Sequence, residues 1–77
     1  MLNDWEDRII VDPKVLAGKP VIKGTRLSVE FVLGLLANGW SVEQVLTEYE
    51  QLTREDVIAA LKYAVDVVKI EKVYPLA

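Results

Sequence analysis

The chain is 77 residues long, has a net charge of −3 and contains neither histidine nor cysteine. These absences exclude a histidine general base, a thiol nucleophile, a thiolate metal site and a disulfide, so we expect a non-enzymatic protein without a metal or cofactor. The hydrophobic fraction of 52% is more than one short domain can bury. It predicts apolar surface that a partner covers, most simply in a homodimer.

The length predicts a single domain, residues 1–77, divided into an arm with a β element (1–27), a helical part (28–70) and a C-terminal tail (71–77). The first residues lack the basic and apolar regions of a signal peptide, and no apolar run is long enough to cross a bilayer. We therefore expect a cytoplasmic protein that does not contact a membrane.

The N-terminal part predicts short extended segments and turns. Residues 8–11 are a β-branched run closed by Pro13, which predicts a strand, and residues 12–18 predict a turn, about one helical turn, ended by glycine. Residues 21–27 predict two short strands around a tight turn, type II or I′, with Gly24 at its second central position. Since so small a ribbon is not stable alone, it must lie on the helices or pair with another chain.

Three helices are predicted after residue 28. Ser28, Ser41 and Thr53 are N-cap residues, and Gln44 is placed to complete a capping box with Ser41. The first helix ends at residues 38–39, and the third extends to about Lys69. The fold is thus predicted to be mainly α, a compact three-helix bundle whose second and third helices are spaced like a helix-turn-helix pair. The apolar periodicity of the third helix predicts an inward face of Val57, Leu61, Ala64, Val65 and Val68.

The order of several motifs resembles the domain-of-unknown-function family numbered 433. The resemblance covers about residues 5–65 and is carried by Asp12-Pro13, by residues 18–22 (GKPVI), by Gly24-Thr25-Arg26 and by Tyr63-Ala64. It implies a homeodomain-like three-helix bundle with a short β element, usually dimeric. It also implies a bacterial antitoxin of a type II toxin–antitoxin pair, whose partner is a PIN-like ribonuclease toxin. The family generally has proline after the tyrosine of the second helix, where this chain has Glu50.

Charge is unevenly distributed along the chain. Residues 8–26 hold five cations and one carboxylate, whereas residues 27–56 hold six carboxylates and one cation. The candidate contacts to nucleic acid or to an acidic partner are the cations Lys19, Lys23, Arg26, Arg54 and Lys62. The carboxylates of Glu55 and Asp56 at the start of the third helix argue against the usual helix-turn-helix docking on DNA.

The tail and the second tryptophan supply candidate contacts to the toxin or to a second copy, namely Trp40, Val67, Ile70, Val73 and Tyr74. Packing of the tail on its own domain or its twin is an equally open interpretation. Two functional hypotheses follow: an antitoxin-like binding protein, and a transcriptional autoregulator that binds operator DNA through a helix-turn-helix. They are compatible in one protein.

Overall fold

The computed structural model describes residues 5–70, which form a two-stranded antiparallel sheet followed by three helices. In chain order the elements are β1 (Ile9–Val11), β2 (Pro20–Ile22), α1 (Val29–Ala37), α2 (Val42–Glu48) and α3 (Arg54–Ile70). The predicted small, mainly helical fold with a short N-terminal β element is therefore confirmed. The tail of residues 71–77 lies outside the described residues.

The two strands that pair in the sheet are not the two strands of the predicted ribbon. β2 pairs with β1, with Ile9 opposite Ile22, whereas the segment after the turn keeps only a single bridge between Val21 and Ser28. That segment bonds locally, since the Thr25 hydroxyl donates to the Ile22 carbonyl and accepts from the Leu27 amide. The predicted strand over residues 25–27 is thus wrong.

The tight turn itself forms as predicted. The Thr25 amide donates to the Ile22 carbonyl at 3.0 Å, and Gly24 has φ +83°. Because Lys23 keeps a negative φ, the turn is type II, and the glycine supplies the conformation that this type requires.

A left-handed turn precedes β2. Leu16, Ala17 and Gly18 have φ of 48°, 55° and 83° within a short 3₁₀ turn, Leu16–Gly18. Glycine ends this turn as the sequence predicts, but the two residues before it adopt a conformation that L-residues rarely take.

All three predicted helix N-caps are present. Ser28 Oγ accepts from the Phe31 amide at 2.9 Å, and Ser41 and Gln44 form a reciprocal capping box. Thr53 Oγ1 accepts from the Asp56 amide at 3.2 Å, while Asp56 Oδ2 accepts from the Thr53 amide at 3.0 Å. These bonds satisfy amides that have no partner within the helix.

The core lies where the sheet meets the three helices. Its buried residues come from every element and from the α2–α3 connection, and they are Ile9, Ile22, Val29, Val32, Val45, Leu52, Val57, Ala59 and Ala60.

The inward face predicted for α3 is only partly correct. Val57 is buried and Ala64 is half-buried, but Leu61, Val65 and Val68 are exposed. α3 instead packs through Val57, Ala59, Ala60 and Tyr63, and the small alanine side chains allow α3 to lie close to the other elements.

The N-terminal segment lies along α3 and fixes which face is buried. Trp5 Nε1 donates to Asp66 Oδ2 at 2.6 Å, and the Trp5 ring packs edge-on against Tyr63 with centroids 4.9 Å apart. Arg8 donates to Asp56 at 3.1 Å. These contacts occupy one side of α3 along much of its length, and among residues 5–70 another side is left uncovered.

Candidate protein-binding surface

The open side of α3 carries an apolar stripe. Ile58, Leu61, Val65 and Val68 are 43%, 44%, 53% and 54% exposed, respectively. They follow one another at intervals of three and four residues, which places them along one face of the helix. We call these four residues the α3 outer stripe.

A second apolar area adjoins this stripe where α3 passes α1. The groove between the two helices is lined by Pro20, Val29, Glu30, Leu33, Tyr63, Ala64, Val67 and Val68. Val68 belongs to both the groove and the outer stripe, so the two areas are continuous. Val67, one of the predicted partner contacts, lies in this groove and is 37% exposed.

The sequence of α3 indicates that the helix has two apolar faces, whereas the apolar periodicity alone predicts one inward face. Adjacent apolar residues occur at positions 57–58, 60–61, 64–65 and 67–68, within longer apolar runs that also include Ala59 and Tyr63. Adjacent helical residues point about 100° apart, so repeated pairs describe two neighbouring apolar faces. One face is filled by the fold and the other is the outer stripe.

The remaining predicted partner contacts are only partly described. The side chain of Ile70, and all of Val73 and Tyr74, lie outside the described residues. Trp40 is half-buried against the core, with its ring centroid 6.4 Å from that of Tyr49. Its exposed part borders a shallow groove on α2 that is rich in polar residues.

Two of the predicted cationic contacts are paired with carboxylates. Arg54 Nη2 lies 2.7 Å from Glu43 Oε2, and Lys19 Nζ lies 3.4 Å from Glu30 Oε1. The hydrogen bond from Arg54 lowers the pKa of Glu43 below its ordinary value. Arg54 therefore joins α2 to the start of α3 instead of presenting a free charge.

The other three cations have different surroundings. Lys23 and Arg26 are exposed beside the type II turn, and neither makes an ion pair within residues 5–70. Lys62 is exposed on α3 and interacts within the fold, next to Glu55 and Ile58. The structure thus does not gather the five predicted cations into one cluster.

Within the described part of the chain, no group of three or more acidic side chains is placed to hold a metal ion. None of the helices in residues 5–70 is long and apolar enough to cross a membrane.

Comparison with known proteins identifies relatives over most of the chain. The family model described as "Protein of unknown function (DUF433)" matches residues 9–64. A crystal structure of a DUF433 member protein from Anabaena variabilis superimposes with a TM-score of 0.74 at 28% identity, covering 87% of this chain and 67% of that one.

Two curated relatives are similar in sequence. The uncharacterized protein y4eO of Sinorhizobium fredii is 40% identical over 52 residues, and an uncharacterized protein of Archaeoglobus fulgidus is 62% identical over 24 residues. These matches cover 68% and 31% of this chain, and 24% and 67% of the respective relatives. The chain thus matches about a quarter of the length of the Sinorhizobium protein.

Proposed function

The chain belongs to the DUF433 family, and we propose that it is a non-enzymatic antitoxin that binds and neutralises a PIN-like ribonuclease toxin in the cytoplasm. The observation that supports a protein-binding role is the α3 outer stripe. Its four large apolar side chains are each more than two-fifths exposed, and a contiguous apolar area of this kind commonly marks an interface. The identity of the partner follows from the family resemblance alone.

Binding through this face matches a known mode of recognition. The outer stripe is an apolar helix face, and the α1–α3 groove next to it is also apolar. A partner segment with apolar residues at helical spacing would bury both areas at once. The charged residues that border these two areas would then determine the orientation of the bound partner more than its affinity.

Co-expression with any PIN-like nuclease that a neighbouring gene encodes tests the proposal. We expect the wild-type chain to co-purify with the nuclease and to relieve its growth arrest. Val65→Lys should lose both properties because it places an ammonium group in the middle of the buried face. Val11→Lys is the matched control, since Val11 is 57% exposed at the end of β1 and far from α3 in sequence.

The outcome is decisive in both directions. If the wild-type chain neither binds nor neutralises the nuclease, the antitoxin proposal is wrong. If Val65→Lys remains as effective as Val11→Lys while circular dichroism shows both to be folded, the outer stripe is not the binding face.

A second candidate function, autoregulation by binding operator DNA, is supported by the exposed and unpaired Lys23 and Arg26. Such cations beside a glycine turn suit contact with phosphates. We propose gel shifts against upstream DNA over a salt series. Lys23→Ala and Arg26→Ala should each reduce the slope of log affinity against log salt by about one. Absence of binding at low salt would remove this candidate.

A further inference from the structure

The α3 outer stripe has the spacing of a coiled-coil seam. Ile58, Leu61, Val65 and Val68 are separated by three, four and three residues, which is the alternation by which two helices pack knobs into holes. The seam extends for about 15 Å along α3, given a rise of about 1.5 Å per residue. A partner helix with the same spacing would match it residue for residue.

The charges beside the seam define the direction of that partner helix. Glu55, Lys62 and Lys69 recur every seven residues along the solvent side of the seam. Glu55 and Lys69 are exposed, and neither makes an ion pair within the described residues. They stand at opposite ends of the stripe with opposite charges.

We propose that α3 pairs with α3 of a second copy in antiparallel orientation. In an antiparallel pair this charged flank faces the same flank of the other helix, so Glu55 of each copy meets Lys69 of the other. The seam is centred on position 63 and the charged pair on position 62, which are about 1.5 Å apart along the helix. One two-fold axis near these positions can therefore serve both. In a parallel pair, the residues opposite this charged flank would be Val57 and Ala64 of the other copy. Neither side chain is charged, so no ion pair would form.

The groups near the axis suit this arrangement. Ala64 lies on the side of the seam next to the groove between α1 and α3, where its small side chain allows the two helices to come close. The Lys62 side chains of the two copies lie near the axis on the solvent side, and their long stems let the two ammonium groups stay apart. The paired seam covers few residues, so the dimer should be weak and dissociate on dilution.

Self-pairing would regulate the surface described above. The dimer would cover the outer stripe, and the two copies would have to separate before the toxin could bind there. This regulatory role rests on the proposed function. The pairing itself is measured with the purified chain alone, so its failure and that of the antitoxin proposal are separate results.

Sedimentation equilibrium over a concentration series tests the pairing. We expect the mass to rise from 8.7 kDa towards twice that value with concentration. Val65→Lys should remain monomeric, whereas Val11→Lys should associate like the wild type. A wild-type chain that stays monomeric at millimolar concentration would overturn the proposal.

Charge reversal tests the antiparallel direction. Glu55→Lys and Lys69→Glu should each weaken association about tenfold, since each replaces two attractive contacts per dimer with two repulsive ones. The double variant, and an equimolar mixture of the two single variants, should regain the wild-type affinity to within about threefold.

The same measurements separate pairing from effects on helix stability. Both substitutions oppose the dipole of α3, so damage to the fold would add in the double variant instead of cancelling. Loss of association that neither the double variant nor the mixture restores would therefore overturn the antiparallel arrangement, as would affinities insensitive to both single substitutions.

Discussion

Replacing Asp56 with alanine should lower the free energy of unfolding by about 2 kcal/mol. Asp56 is 6% exposed and accepts from the Thr53 amide at 3.0 Å and from Arg8 at 3.1 Å. It therefore closes the N-terminus of α3 and joins it to the residue that precedes β1. Loss of the cap contributes about 1 kcal/mol. Loss of the Arg8 contact adds about 0.5–1 kcal/mol, because the guanidinium is partly solvated.

Thermal and urea unfolding followed by circular dichroism measure this change at one fixed protein concentration. For a domain of this size, about 2 kcal/mol corresponds to a fall in Tm of about 10 °C. Asp56→Asn should lose roughly half as much, since an amide oxygen still accepts from Thr53. Arg8→Met should lose only the smaller share.

A double-mutant cycle between Arg8→Met and Asp56→Ala checks the division of the energy. We expect a coupling of about 0.5–1 kcal/mol, as for a partly exposed ion pair. The reasoning is refuted if Asp56→Ala changes the free energy of unfolding by less than about 0.5 kcal/mol, or if the two substitutions are strictly additive.

Further predictions concern the turn, a helix, the core and the ion pair. Gly24→Ala should destabilise by about 1 kcal/mol through its positive φ, although the space around it is open, whereas Gly34→Ala within α1 should stabilise by up to about 1 kcal/mol. The same sign for both in urea unfolding would contradict this contrast. Ile22→Val should cost about 1 kcal/mol because Ile22 is fully buried, and an unchanged urea midpoint would show that the site tolerates the cavity. Arg54→Met should raise the pKa of Glu43 in an NMR titration. Because the folded pKa of Glu43 is lowered, the pair stabilises at neutral pH and loses its effect as pH falls through that pKa, so a difference in stability that persists in strong acid would argue against it.

The helix boundaries are predictable because they depend on local chemistry. Ser28, Ser41 and Thr53 each accept a bond from an amide three residues ahead, and this preference is encoded in a few neighbouring residues. Gly24 is equally local, since a type II turn requires positive φ at one position.

The pairing of β2 and the orientation of α3 depend on distant residues. β2 had the adjacent segment available, but it pairs with β1, which lies further away along the chain. The apolar periodicity of α3 is compatible with either of two faces being buried. Trp5 and Arg8, which are distant from α3 in sequence, contact one side of the helix and so select the buried face. An apolar pattern indicates how wide the apolar face of a helix is, but it does not indicate which other element packs against that face.

Composition alone does not locate the exposed apolar surface. Surplus apolar surface was expected from composition, and its location on Leu61, Val65 and Val68 emerged only with the packing of α3. The pairing of Arg54 with Glu43 joins two helices across 11 positions, and no local rule predicts such a contact.

The bonds from Trp5 to Asp66 and from Arg8 to Asp56 also bear on how the chain folds as it is made. They join residues 61 and 48 positions apart, so Trp5 and Arg8 are made well before the residues that they contact. At roughly 5–20 residues per second, Arg8 waits roughly 2–10 s on the ribosome before Asp56 is translated. Until Asp56 has been made, the neighbouring strand lacks the helix that supports it in the finished fold.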